Sequence, residues 1–245
     1  MSKFRFIFSA ALLSLFLAGC ADKVEPQRTA EQLYKTGYKE LKKDKYKASA
    51  KTFERLELEH PYSKWAVKSK LMGAYAHYKA EEYDDAIMSL DRFIRFHPGN
   101  KDVAYAYYLK AICYYDQIDV IGKNQKDTRE AFDALNQVIL RFPNTAYAKD
   151  AEGKLNLAHN YLAGQNMYIG RYYLNEKQYL SALNRFSSVV NDYQTTAYIQ
   201  EALYRQIEIY TILGLETEAI RNYKVLEHNY PTSEWTKAAK KVLKG

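Results

Sequence analysis

YKASAKTFERLELEHP (46–61), YDDAIMSLDRFIRFHP (83–98), TREAFDALNQVILRFP (128–143), YLSALNRFSSVVNDYQ (179–194) and ETEAIRNYKVLEHNYP (216–231) are five variations on one pattern. Each is a helical stretch that ends in an aromatic residue or His, followed in four of the five by Pro. Aligned on the last residue, the copies agree in columns. Twelve positions before it stand Ser49, Ala86, Ala131, Ala182 and Ala219. Eight before stand Phe53, Leu90, Leu135, Phe186 and Tyr223, and five before stand Leu56, Phe93, Val138, Val189 and Leu226. Steps of four and then three place the columns on one face of a helix. The small residue lets a preceding helix approach, the large one fills the gap to the next unit, and Pro stops the helix.

A second helical stretch precedes each block, and before the first, second, fourth and fifth it reads LYKTGYKEL (33–41), LMGAYAHY (71–78), MYIGRYYL (167–174) and IEIYTIL (207–213). Gly37, Ala74 and Gly170 each lie 24 positions before the closing residue, where a helix crossing needs a small side chain; Tyr173 and Tyr210 lie 21 before it. The pattern predicts an all-α fold, a tetratricopeptide-like helical solenoid of about five antiparallel helix pairs. The closing residues are separated by 37, 45, 51 and 37 positions, against a tetratricopeptide period of about 34. The extra residues of the third unit fall in Ile118–Lys126. Those of the fourth fall in 146–175, read as one long helix or two broken at Gly164. Ser233–Leu243 is expected to cap the array, with Trp235, Ala238, Ala239 and Val242 turned inward. The units run over about 30–63, 64–99, 100–144, 145–194 and 195–231, with the cap at 233–244 and the whole solenoid at 30–245.

Ahead of the solenoid the chain reads MSKFRFIFSAALLSLFLAGC (1–20), with Lys3 and Arg5 before an apolar run from Phe6 to Leu17. That order is an export signal over residues 1–19, too short for the roughly 20 apolar residues of a membrane span. Leu17-Ala18-Gly19-Cys20 resembles the lipobox of bacterial lipoproteins, in which the Cys thiol carries diacylglycerol (palmitate among the acyl chains) and becomes the new N-terminus. Two or more acyl chains anchor a protein stably. Residues 20–29 form the lipidated Cys and a flexible tether. Ala21, where Asp would signal retention in the inner membrane, points to the periplasmic face of the outer membrane. The mean hydropathy of −0.51 describes a water-facing body. Lys and Arg exceed Asp and Glu by 36 to 29, a mild excess spread along the chain. The lysine-rich stretches 35–47 and 237–244 read as solvated helix faces, able to meet anionic lipid, and no nucleic-acid partner is implied.

Catalytic and metal motifs are absent from the sequence, so neither an enzyme nor a cofactor is expected. His60 and His97 share a column with Phe142, Tyr193 and Tyr230 and are expected to pack as rings at helix ends. His77, His159 and His228 have no titratable partner suggested by sequence. Glu81, Glu82, Asp84 and Asp85 sit at a turn and complement the positive N-terminal end of the next helix, which accounts for them without a calcium or catalytic role. Cys113, the second of two cysteines, reads as a small buried hydrophobe. Tyrosine is the outlier, 24 of 245 residues, and many are on first helices. Part of this enrichment is packing between units. The rest, with Tyr75, Tyr78, Tyr107 and Tyr108 as candidates, offers a groove to an extended peptide, because Tyr combines apolar area with a polar tip.

DRFIRFHP (91–98), YYDQIDVIGKNQKDTREAF (114–132), MYIGRYYL (167–174), LNRFSSVVNDY (183–193) and NYPTSEW (229–235), together with the lipobox, resemble the BamD (YfiO, ComL) family of lipoproteins. These belong to the outer-membrane β-barrel assembly machine. The resemblance spans the chain and implies a non-catalytic subunit that aids insertion of β-barrel proteins. It implies that the C-terminal repeats dock a periplasmic POTRA domain of the barrel-forming BamA subunit, and that the N-terminal repeats face unfolded outer-membrane proteins. Other lipoproteins of the complex are implied partners. It also implies that Arg185, in the NRF stretch, faces BamA and meets an acidic residue. Two departures from the family pattern bear on this: Gln194 replaces the usual Pro and is expected to loosen its turn, and the 118–126 loop is shorter than in some relatives. The competing reading is a periplasmic tetratricopeptide adaptor coordinating the envelope or cell wall.

Overall fold

The computed structural model describes residues 27–244; the leader at 1–19 and Cys20 lie outside the described residues. Eleven helices follow one another: α1 (Ala30–Leu41), α2 (Tyr46–Glu59), α3 (Ala66–Lys79), α4 (Tyr83–Phe96), α5 (Val103–Tyr115), α6 (Lys126–Arg141), α7 (Ala146–Asn175), α8 (Tyr179–Asp192), α9 (Ile199–Ile212), α10 (Glu216–Asn229) and α11 (Glu234–Val242). Each odd helix from α1 to α9 packs against the even helix after it, and each even helix against the next odd one. First helices also meet one another, α1 with α3, α3 with α5 and α5 with α7. The described chain is therefore an all-α solenoid of five pairs closed by α11.

The columns of the repeat are its core. Fourteen of their fifteen residues are buried and Tyr223 is half-buried. Where Ser49 replaces Ala, its hydroxyl donates to the carbonyl of Gly37 at 2.8 Å, so the buried oxygen is satisfied. Gly37 itself faces the ring of Phe53, which would stand 3.0 Å from an added Cβ.

The turns repeat as closely as the helices. Within four pairs the residue two before the second helix adopts positive φ: Asp44 (56°), Glu81 (61°), Lys177 (57°) and Gly214 (71°). Only glycine takes this conformation without steric cost, so three of the four turns hold a side chain there under backbone strain. At the far end of each second helix, His60, His97, Phe142, Tyr193 and Tyr230 share one cap conformation, with φ between −129° and −137°. Each cap N–H donates to the carbonyl of the column residue before it, Leu56, Phe93, Val138, Val189 or Leu226. Gln194 does not loosen its turn. Tyr193 keeps the common geometry, and the Thr196 hydroxyl donates to the Tyr193 carbonyl at 2.7 Å. The Thr145 hydroxyl makes the same bond to the Phe142 carbonyl at 2.8 Å in the unit that keeps its Pro, so the turn geometry is shared with or without Pro.

The third and fourth units carry the insertions. The loop between α5 and α6 ends one residue earlier than expected, because Lys126 already belongs to α6. Buried Gln125 organises it, donating to the Val120 carbonyl at 3.1 Å and accepting from the Thr128 hydroxyl at 2.6 Å. The 30-residue helix α7 is continuous. Gly164 does not break it; there the helix receives the loop, and an added Cβ would stand 2.8 Å from Ile121 Cδ1 and 3.0 Å from the Tyr198 hydroxyl. In α11 buried Thr236 and Ala239 face inward while Trp235, Ala238 and Val242 are half-buried. The Thr236 hydroxyl donates to the Tyr230 carbonyl at 2.6 Å.

Candidate partner-binding surface

Tyr75, Tyr78, Tyr107 and Tyr108 are all half-buried, and they do not share one face. The Tyr75 and Tyr78 rings are tilted to one another with centroids 6.2 Å apart, and Tyr108 stacks on Tyr147 at 5.2 Å. Tyr107 points elsewhere: its ring meets Phe142 at 5.4 Å and lines, with Asp91, Lys110, Tyr114 and Glu130, a hollow between α4 and α6. The Tyr78 hydroxyl donates to Asp116 at 2.9 Å and that of Tyr108 to Asp150 at 2.6 Å. Each bond joins the first helix of one unit to the next unit. Burial, reinforced by these carboxylates, raises both phenols well above their usual range. These two hydroxyls are therefore committed to inter-unit bonds. More open rings stand on α7, where Tyr168 and Tyr172 are 57% and 59% exposed on the same side, one turn apart.

Arg185 is exposed on α8 and forms no ion pair with another described residue. It borders a shallow hollow of about 250 Å³ with Tyr173, Ser181, Asn184 and Ser188. Leu180, 72% exposed, begins the same helix. The guanidinium thus stands in a mostly uncharged polar setting with an apolar neighbour at one end, an arrangement able to accept a carboxylate from another chain.

Behind this surface lies a charge network that the sequence pattern does not disclose. Glu201 on α9 is buried, and Arg171 on α7 grips it through both Nε, at 2.8 Å, and a terminal nitrogen. Burial alone would raise the Glu201 carboxyl, but the guanidinium groups of Arg171 and Arg205 outweigh it and hold the group below its usual range. Arg205 continues to Glu208 at 2.9 Å and lies over the rings of Tyr204 and Trp235. The fourth unit, the fifth and the cap are thereby held as one support under α8. A charged residue within the apolar run Ile199, Ala202, Leu203 was the available signal.

His77 also departs from expectation. It is buried, with Nδ1 2.9 Å from Glu82 Oε2 and Nε2 3.1 Å from Glu54 Oε1. Glu54 lies 23 residues away on α2, and Glu82 lies five residues on, past the end of α3 and off helical spacing, so the helical pattern pairs neither with His77. His159 stacks on Phe132 at 5.4 Å and its Nε2 lies 3.3 Å from the Asp192 carbonyl. His60 packs at its helix end with Nε2 2.8 Å from the Arg28 carbonyl, and His97 lies 5.4 Å from Phe93.

The model of a family of outer membrane lipoproteins, YfiO, matches residues 26–225. The chain belongs to this YfiO family. Relatives named outer membrane protein assembly factor BamD include one from Caulobacter vibrioides, 42% identical, with 96% of this chain and 79% of the relative covered. One from Rickettsia prowazekii is 42% identical, with 97% of this chain and 96% of the relative covered. One from Neisseria meningitidis serogroup B is 32% identical, with 92% and 91% covered. Within the YfiO match fall both the Arg185 surface and the 116–125 loop, while the last turn of α10 and all of α11 lie beyond it. Among the described residues no helix is long and apolar enough to cross a membrane.

Proposed function

We propose that this chain is a non-catalytic assembly factor for outer-membrane β-barrel proteins, acting as a scaffold that joins a barrel-forming subunit to incoming substrate. Near-full-length similarity to several BamD assembly factors carries this reading, and membership of the YfiO family leaves the cell-wall adaptor without specific support. In this reading Cys20 bears lipid and holds the chain to the periplasmic face of the outer membrane. The C-terminal units dock a POTRA domain of a BamA-like subunit, with Arg185 meeting an acidic residue, and further lipoproteins of the complex join it. The N-terminal units receive unfolded outer-membrane proteins along their first helices, where half-buried Tyr75, Tyr78 and Tyr108 stand.

The electrostatics support this division. An exposed arginine with no carboxylate partner among the described residues gives an incoming acidic group a partner without breaking a pair seen there. The Glu201 network ties α7 to α9, the two helices that pack against α8, which supports a preorganised docking surface. Purification from membranes in mild detergent tests the reading. A BamA-like barrel is expected to co-purify, and depletion of the chain is expected to lower barrel-protein levels. Recovery of the chain alone, with normal barrel levels after depletion, overturns it.

A further inference from the structure

His77, Glu82 and Asp85 offer one ligand atom each, and these atoms lie within 4.8 Å of one another; no other such group of His, Cys, Asp and Glu occurs among the described residues. They come from two elements, the buried end of α3 and the turn leading into α4. We propose that these three residues bind a divalent transition-metal cation of the Zn2+ type, a role separate from partner docking.

The surrounding groups orient the ligands as a metal site requires. Glu54 Oε1 on α2 stands 3.1 Å from His77 Nε2, so it can hold the proton there and leave the Nδ1 lone pair pointing toward Glu82. A carboxylate on the far nitrogen is the usual companion of a metal-bound histidine, fixing both its tautomer and its ring. Lys47 does the same for Glu82. It pairs with Oε1 at 3.0 Å while Oε2 faces Nδ1 at 2.9 Å, so the lysine need not be displaced. A cation about 2.0–2.1 Å from both ligand atoms needs only a small widening of that gap. Asp85, exposed in the first turn of α4, supplies the third ligand from the solvent side, and water fills the remaining position. Of the three carboxylates Glu54, Glu82 and Asp85, only Glu82 pairs with a lysine among the described residues, so the cluster has negative charge for a cation to neutralise. An imidazole among the ligands favours Zn2+ and its neighbours over Ca2+ or Mg2+. Binding would clamp α2, α3 and the start of α4, the junction of the first two units.

Isothermal titration of the purified, chelator-stripped protein with Zn2+ tests the site. Cys20→Ala removes the competing thiol, and Cys113 is buried. Saturable one-to-one binding is expected, accompanied by a rise in unfolding temperature. Asp85→Asn lies on the surface and leaves the fold intact, yet is expected to weaken binding about tenfold or more. Glu54→Gln, which touches the histidine and not the metal, is expected to weaken it about 10–100-fold. Asp84→Asn, one residue away, should change nothing. Absence of one-to-one binding, or equal affinity in the wild type and Asp85→Asn, overturns the proposal.

Discussion

A Cβ added to Gly170 on α7 would stand 2.6 Å from Cε1 of Phe186 on α8, closer than any real pair of such atoms. The phenyl ring is fully buried, so it has no room to withdraw. Gly170→Ala is therefore expected to lower stability by about 1–2 kcal/mol, an overpacking cost that exceeds the gain of roughly 1 kcal/mol from replacing helical glycine. Gly153 lies in the same helix with nothing within 4 Å of its added Cβ. Gly153→Ala should raise stability by about 0.5–1 kcal/mol. Chemical denaturation of both variants checks the pair, and equal shifts would show that the Phe186 contact is not limiting.

The same contact marks how far the sequence could be read. Gly170 and Phe186 lie in aligned columns, so their meeting follows from helical periodicity and the antiparallel pairing of neighbours. The Tyr78–Asp116 bond joins residues 38 apart, and the His77–Glu54 contact spans 23. Both depend on the rotation of one unit relative to the next, which periodicity within a helix does not set. For that reason the core columns and helix pairs were legible. The sorting of tyrosines between packing and exposure was not, and neither was the continuity of α7 through Gly164. At Gly164 the loop at Ile121 fills the space a side chain would take, a contact that lies outside the pattern of the helix itself.

Glu201 carries a pH signature. Its carboxyl is held below the usual range in the folded protein, so it binds protons more readily when unfolded. Its contribution is present in full above the ordinary carboxyl pKa of about 4.3 and is lost as pH falls through the lower folded value. Glu201→Gln is expected to cost about 1–3 kcal/mol at neutral pH. The gap in unfolding midpoint between wild type and variant should narrow as pH drops below the ordinary carboxyl range. A gap that stays constant into that range would mean that the Arg171 pair does not stabilise the charged form.

Burial, with the nearby Asp116 carboxylate, pushes the Cys113 thiol up to about 12. Thiolate is the reactive form, so in a protein bearing Cys20→Ala a disulfide-exchange reagent should label nothing until denaturant is added. One equivalent of thiol should then appear in step with unfolding. Rapid labelling of the native protein would place Cys113 in a region that opens locally.

Cys20→Ala is expected to leave the solenoid folded while releasing the protein from membranes, because Cys20 is ten residues before α1 and takes no part in its packing columns. Fractionation in a strain lacking the barrel partner separates the lipid contribution from tethering by a complex. Retention on membranes in that strain would contradict the anchor.

Arg185 provides the most direct test of docking, because it is exposed and forms no ion pair with another described residue. Reversal to Glu should leave the unfolding midpoint nearly unchanged, since surface substitutions away from buried features usually shift stability by less than about 0.5 kcal/mol. Placed opposite an acidic partner, however, the new carboxylate replaces attraction by repulsion. Recovery of the barrel subunit with the Arg185→Glu protein should therefore fall sharply, and a compensating acidic-to-basic change on the partner should restore it. Loss of binding together with loss of fold would signal a structural defect. Full recovery of the partner from a well-folded Arg185→Glu protein would remove this residue from the interface and shift the docking surface toward the open rings of Tyr168 and Tyr172.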